Sequence, residues 1–189
     1  MIYDNSGERY MKKVLIISSS LRGGSNSEIL AREAQKGAQD AGNEVEFISL
    51  KGKNIKFCIG CLACQKTYKC VQNDDMADLI LKVQNADALI FATPIYYYEM
   101  SGQLKTFLDR CNPLFAQENN FKDVYLITSS YDDAPNASDR AISGLNGWIE
   151  CFPQSKFSGA VVGGGVNDPK DAARREDLLK KAYELGKNI

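Results

Sequence analysis

Apolar residues come along this chain in short bursts, and amphipathic stretches separate them from end to end. Lys12 to Ser18 (KKVLIIS) is a continuous apolar run, as expected of a strand buried on both faces of a parallel sheet. A helix follows from about Asn26 to Ala41, with Leu30, Ala34, Gly37, Ala38 and Ala41 on one face. Ser25 can cap it, Glu28 completes a capping box, and Gly42 suits the position just past its end. Glu44 to Leu50 (EVEFISL) alternates like a strand. A second helix starts near Asp74 or Asp75, with Leu79, Ile80 and Val83 inward. Asp87 to Ala92 (DALIFA) is a third strand, which Pro94 is expected to end. Ser101 caps a third helix carrying Leu104, Phe107, Leu108 and Cys111. Asp123 to Thr128 is the fourth strand, Ala137 to Glu150 a helix and Ser158 to Val162 the fifth strand. Asp168-Pro169 opens the last helix, which turns Leu178, Leu179, Ala182 and Tyr183 to the core.

Five strands alternating with helices predict an α/β fold: a doubly wound parallel sheet, order 2-1-3-4-5, with helices on both faces. In that order the ligand site lies at the carboxyl ends of strands 1 and 3, where the winding reverses. Residues 12–189 read as one domain with a cysteine-rich insert at 51–73, and residues 1–11 as a loose extension before a second possible start at Met11.

Composition narrows the chemistry. Charged residues make up 25% and hydrophobic ones 44%, the balance of a soluble globular chain. A net charge of −1 gives no field that favours nucleic acid or anionic lipid. Apolar runs such as Ala88 to Ala92 are far too short to span a bilayer. Met1 to Tyr10 lacks an apolar leader core, so a cytoplasmic location is expected. Six cysteines in that setting point to ligand or redox duty rather than structural disulfides. There is no histidine. That removes Ser-His-Asp and Cys-His nucleophile systems and His-ligated zinc hydrolases.

Three segments carry candidate chemistry. The loop Ser18 to Ser27 joins the first strand to the first helix and offers hydroxyls, two glycines, Arg22 and a helix N-terminus. A phosphate dianion is bound by such groups, although an ordinary capped turn would look similar. Neither GxxxxGK nor GxGxxG is present, which argues against a triphosphate loop and a dinucleotide fold. Thr93-Pro94-Ile95-Tyr96-Tyr97-Tyr98 could wall a flat ring system, or the tyrosines could simply cap the core. Ser129 and Ser130 reach the same edge of the sheet. Cys58, Cys61, Cys64 and Cys70 are spaced C-x2-C-x2-C-x5-C. Overlapping CxxC steps suit a compact [4Fe–4S] site; a zinc knuckle and a metal-free loop of thiols are the other two readings. Cys111 and Cys151 lie in predicted helical segments and read as buried packing residues.

Together these segments resemble the iron–sulfur flavoproteins and their NAD(P)H-dependent FMN reductase relatives, of the flavodoxin-like superfamily. The resemblance runs from Val14 to about Leu185 and is most specific at the cysteine run with Asn73-Asp74-Asp75-Met76. It implies an FMN phosphate on Ser20, Arg22, Ser25, Asn26 and Ser27. It implies an isoalloxazine along Pro94, Ile95, Tyr96, Tyr97 and Tyr98, with Ser129 and Ser130 at its other edge, and a possible [4Fe–4S] cluster on the four cysteines. It implies NAD(P)H as donor, a small-molecule acceptor or ferredoxin-like partner, and a homodimer or homotetramer. A cluster-free FMN or quinone reductase and a non-catalytic flavodoxin-like carrier are the alternatives. A phosphoacceptor domain of the same topology needs acidic residues after the first and third strands, where this chain has Ser18-Ser19-Ser20 and Thr93-Pro94.

Overall fold

In the computed structural model, which describes residues 11–189, the first apolar run forms β1 (Lys13–Ser18), an interior strand of the sheet. It pairs in parallel with β2 (Glu44–Ser49) on one side and β3 (Ala88–Tyr96) on the other. β3 continues the sheet to β5 (Asp123–Ser129), and β5 to β6 (Lys156–Gly163). The order β2-β1-β3-β5-β6 is the expected 2-1-3-4-5 winding. The extra strand, β4 (Glu99–Met100), is a two-residue antiparallel return on the end of β3.

Alternate residues of each strand feed opposite layers, as the period of two requires. Leu15, Ile17, Leu89, Phe91 and Leu126 pack under α3 (Met76–Asn85), α4 (Gly102–Arg110) and α5 (Asp139–Ile149). Phe91 meets Phe107 and Trp148 edge-on, with ring centroids 6.1 and 5.8 Å apart. Val14, Ile16, Ile90 and Ile127 pack under α1 (Asn26–Asp40) and α6 (Glu176–Lys187). α1 and α6 cross backbone to backbone. A methyl group on Gly37 would strike the carbonyl of Tyr183, and one on Gly186 the carbonyl of Ala34. The remaining helix, α2 (Cys64–Thr67), is one turn inside the cysteine segment.

Four local expectations are corrected. Pro94 does not end β3, which runs on to Tyr96. Ala92 directs its carbonyl at Ser19 on the β1 side, and Pro94, two residues on, faces the same side after β1 has ended. The missing N–H therefore breaks no ladder bond. Asp168-Pro169 does not open the last helix. A 3-10 turn over Asp171–Arg174 intervenes, with Lys170 in the left-handed region at φ 70°, and α6 begins at Glu176. Ser25 caps α1 through the amide of Glu28, but the Glu28 carboxylate is taken by Arg32 rather than closing a capping box. Cys151 is exposed because α5 stops at Ile149; Cys111 is fully buried, as expected. The extension expected over residues 1–11 lies, save Met11, outside the described residues.

Candidate functional site

The carboxyl edge of the sheet is tied together by buried hydroxyls. The Ser19 amide donates to the carbonyl of Ala92 at 2.9 Å, and the Ser19 hydroxyl lies 2.9 Å from that of Ser101. The Ser101 amide donates to Thr93 Oγ1 at 3.0 Å, and Ser101 Oγ caps α4 by accepting from the Leu104 amide. The ends of β1 and β3 and the start of α4 are thus one hydrogen-bonded unit. The sequence places Ser19 in the candidate phosphate loop and Thr93 in the candidate ring wall, but gives neither a partner. Serine and threonine carry no sign of their partners until the fold supplies them.

From that unit the chain turns into α1. Ser20, Ser25, Asn26 and Ser27 are buried, while Arg22 is exposed. Gly24 takes φ 67°, the left-handed conformation that lets the loop double back. Arg22 Nη1 donates to the carbonyl of Asn167 at 2.7 Å, which holds the guanidinium beside the loop. Asn26 spends both ends of its side-chain amide on the C-terminal turn, donating to Asp168 and accepting from Ala172. What Asn26 can offer a ligand is its backbone N–H. With Ser25 satisfying the Glu28 amide, the N–H groups of Asn26 and Ser27 remain as donors of the first turn. Two amides, serine hydroxyls and a guanidinium are thus grouped at the positive end of a helix, the chemistry a phosphate dianion would use.

Pro94 stands beside Ser129 in the β3–β5 register, so both flank the same edge. Ile95 pairs with Met100 and Tyr96 with Glu99, which leaves Tyr97-Tyr98 as a two-residue hairpin turn. Both have positive φ, 51° and 66°. This turn shape ordinarily uses Asn-Gly, and two tyrosines in it store strain. The Tyr98 hydroxyl donates to Asp132 at 3.0 Å, and Asp132 pushes that hydroxyl's pKa up. Tyr97 is 97% exposed. Ser129 and Ser130 are buried, and the Ser130 amide donates to Gly163 at 2.9 Å. Gly163 and Gly164, unremarked in the sequence, are needed here. A Cβ on either would collide with the Thr128 carbonyl or with Asp133.

The four cysteines of the insert line one small cavity together with Arg110 and Asn112, which follow from α4. Gly60, Leu62 and Tyr68 all have φ near 60°, and these reversals fold the segment back on itself. Cys64 is buried, Cys70 half-buried, Cys58 and Cys61 exposed. Asn112 Nδ2 donates to Cys64 Sγ at 3.1 Å and Arg110 Nη2 to Cys70 Sγ at 3.5 Å. Arg110 is itself fully buried against an equally buried Asp74, with two bonds of 2.6 and 2.8 Å, and it also donates to the Lys56 carbonyl. Its Nε is buried with no protein partner. Among the described residues, no three or more His, Cys, Asp or Glu side chains stand as a ready ligand set for a metal ion. Cys111 lies apart in the core, where burial pushes its thiol pKa up.

These candidate anion donors and the ends of β3 and β5 stand where the strand order reverses, the place at which open α/β sheets take their ligands. Residues 12–157 match the NADPH-dependent FMN reductase family. The chain belongs to that family. As an FMN reductase family member it is an FMN-containing oxidoreductase. An iron-sulfur flavoprotein of Methanocaldococcus jannaschii is 32% identical over 187 residues, covering 94% of this chain and 95% of that one. A Bacillus subtilis protein named as an NAD(P)H-dependent FMN-containing oxidoreductase is 32% identical over 181 residues, covering 92% and 96%. The NAD(P)H:quinone oxidoreductase structure from Methanothermobacter marburgensis superposes with TM-score 0.74 at 16% identity over 95% of this chain and 97% of that one. That likeness shows the flavodoxin-like fold of this FMN reductase family member. No helix among its described residues is long and apolar enough to cross a membrane.

Proposed function

We propose that the protein is an NAD(P)H-dependent FMN oxidoreductase whose cysteine loop holds a [4Fe–4S] cluster, serving a small-molecule acceptor or a ferredoxin-like partner. FMN when bound supplies two-electron chemistry and a cluster one-electron chemistry. The chain's own groups do the binding. Ser20, Arg22, Ser25, Ser27 and the amide of Asn26 would hold the phosphate. Pro94 to Tyr98, with Ser129 and Ser130, would bound the ring. Cys58, Cys61, Cys64 and Cys70 would hold the cluster.

The observation that carries the cluster reading is the convergence of all four cysteines on one cavity, with protein N–H donors directed at two of the sulfurs. Thiolate is the form of sulfur that accepts such bonds well. A single zinc ion needs all four sulfurs about 2.3 Å from one centre. A cluster would spread them over four irons, each thiolate on its own iron. Names of full-length relatives add support. The exposure of Cys58 and Cys61 favours a second reading, a cluster-free FMN or quinone reductase.

Protein purified without oxygen separates the two by its visible spectrum with iron and acid-labile sulfide assays. Flavin bands with about four irons per chain are expected. Flavin bands without iron would move the assignment to the cluster-free enzyme.

A further inference from the structure

We infer that Asn112 and Arg110 are the donors that set the reduction potential of the cysteine-loop cluster, acting on its inner sulfurs alone. The inference rests on the cluster reading given above. Its physical basis is the asymmetry of the loop. Cys64 and Cys70 accept N–H bonds from the end of α4 and the turn after it, whereas Cys58 and Cys61 are turned to the surface.

The Arg110 guanidinium has been built for this direction. It is 1% exposed and its carboxylate partner Asp74 is not exposed at all, so neither charge is solvated. A buried pair of this kind is costly to desolvate and adds little net stability, so stability alone does not account for it. The fork geometry, however, is specific. Asp74 takes one N–H from each terminal nitrogen and the Lys56 carbonyl takes a second from Nη1. That leaves Nη2 one hydrogen, and it goes to Cys70. Asn112 repeats the arrangement on Cys64 with a neutral donor and a shorter contact.

Adding one electron to a four-thiolate cluster makes it more negative without forming or breaking a covalent bond. A donor to a ligating sulfur stabilises the more negative form, so it raises the potential. Removing it should lower the potential. Asn112 is the better probe, because Arg110 also anchors Asp74.

The test compares wild type with Asn112→Ala and Asn112→Gln, each assembled with iron and sulfide without oxygen. Dithionite with redox mediators is the titrant, and the reduced cluster is followed by its paramagnetic resonance. Asn112→Ala should weaken reduction about tenfold, which for one electron is about 59 mV downward. Iron content and flavin absorbance should be unchanged. Asn112→Gln, which keeps an amide donor, should recover part of the shift. An unmoved potential in an iron-replete Asn112→Ala protein would overturn the donor assignment while leaving the cluster intact. A variant that binds FMN but retains no iron would also overturn it, since the residue would then be holding the cluster rather than tuning it. A wild type that takes up no iron would overturn the cluster reading and this inference together.

Discussion

Two arginines of this molecule carry the same charge in opposite settings. Arg22 is exposed and tethered by one bond to Asn167, so it can meet a ligand without first losing a partner carboxylate. Arg22→Ala should weaken FMN binding about tenfold, the scale of a lost charge-assisted hydrogen bond, and a flavin fluorescence titration measures it. Arg110 is buried, and it holds Asp74 well below the usual carboxylate range, at about 2. The amides of Lys56 and Met76 help, while burial opposes them. Because the folded-state pKa is depressed, the contribution is full above the unfolded value, near 4, and is lost as pH falls through about 2. Stability should therefore drop by on the order of 2 kcal/mol between those limits from this group alone. Urea unfolding at stepped pH would show it. Asp74→Asn should flatten that segment of the profile, from a starting stability lower by about 3–5 kcal/mol because Arg110 is left unpaired. Arg22 was legible in the sequence because it sits between glycines and serines at a strand-to-helix turn. Arg110 was not. A basic residue in a helix's last turn ordinarily does no more than complement the dipole from the surface. Its partners lie at least 36 residues away, so no local pattern marks it.

At the scale of elements, the hairpin between β3 and β4 holds the least expected conformation. Two L-residues with bulky rings occupy left-handed positions, at a cost of roughly 1–2 kcal/mol each. Tyr97→Asn with Tyr98→Gly supplies the residues the turn prefers. The double variant should make the flavin-free protein more stable by about 1–2 kcal/mol, read as a higher urea midpoint at unchanged slope. It should also bind FMN more weakly if the rings contact the isoalloxazine. An unchanged midpoint would show that the turn stores no strain. The sequence hid this hairpin because nothing in Tyr96 to Glu99 resembles Asn-Gly, and because Pro94 read as the end of a strand. A proline tells its reader that one N–H is missing; it does not tell on which side the neighbouring strand has already stopped. The cysteine loop was the reverse case. Its spacing was legible at once, while its hydrogen-bond donors, contributed from α4 and the following turn, were not.

The whole molecule follows the pattern of buried runs most faithfully. β1 and β3 are apolar on both faces because helices cover both, and the winding order follows from alternation with those helices. The closeness of the two helices on one face was less visible. Gly37 fell on the apolar stripe of α1, but Gly186 only gains meaning from the carbonyl of Ala34 against it. Gly186→Ala must separate α1 from α6 and should lower stability by about 1–3 kcal/mol, which thermal or urea unfolding would detect. A stability equal to wild type would mean the helices part without loss. α4 has a different consequence. Its first cap, Ser101, belongs to the hydroxyl unit at the end of β1 and β3, and its last residue, Arg110, is locked to the cysteine loop. Nine helical residues measure about 13.5 Å. The helix is therefore a ruler between the two sites, graduated in steps of about 1.5 Å and about 100°. One residue inserted within it would swing Arg110 away from Asp74 while Ser101 stayed in place, so the two sites can be retuned by exchange of side chains but not by a change in the length between them.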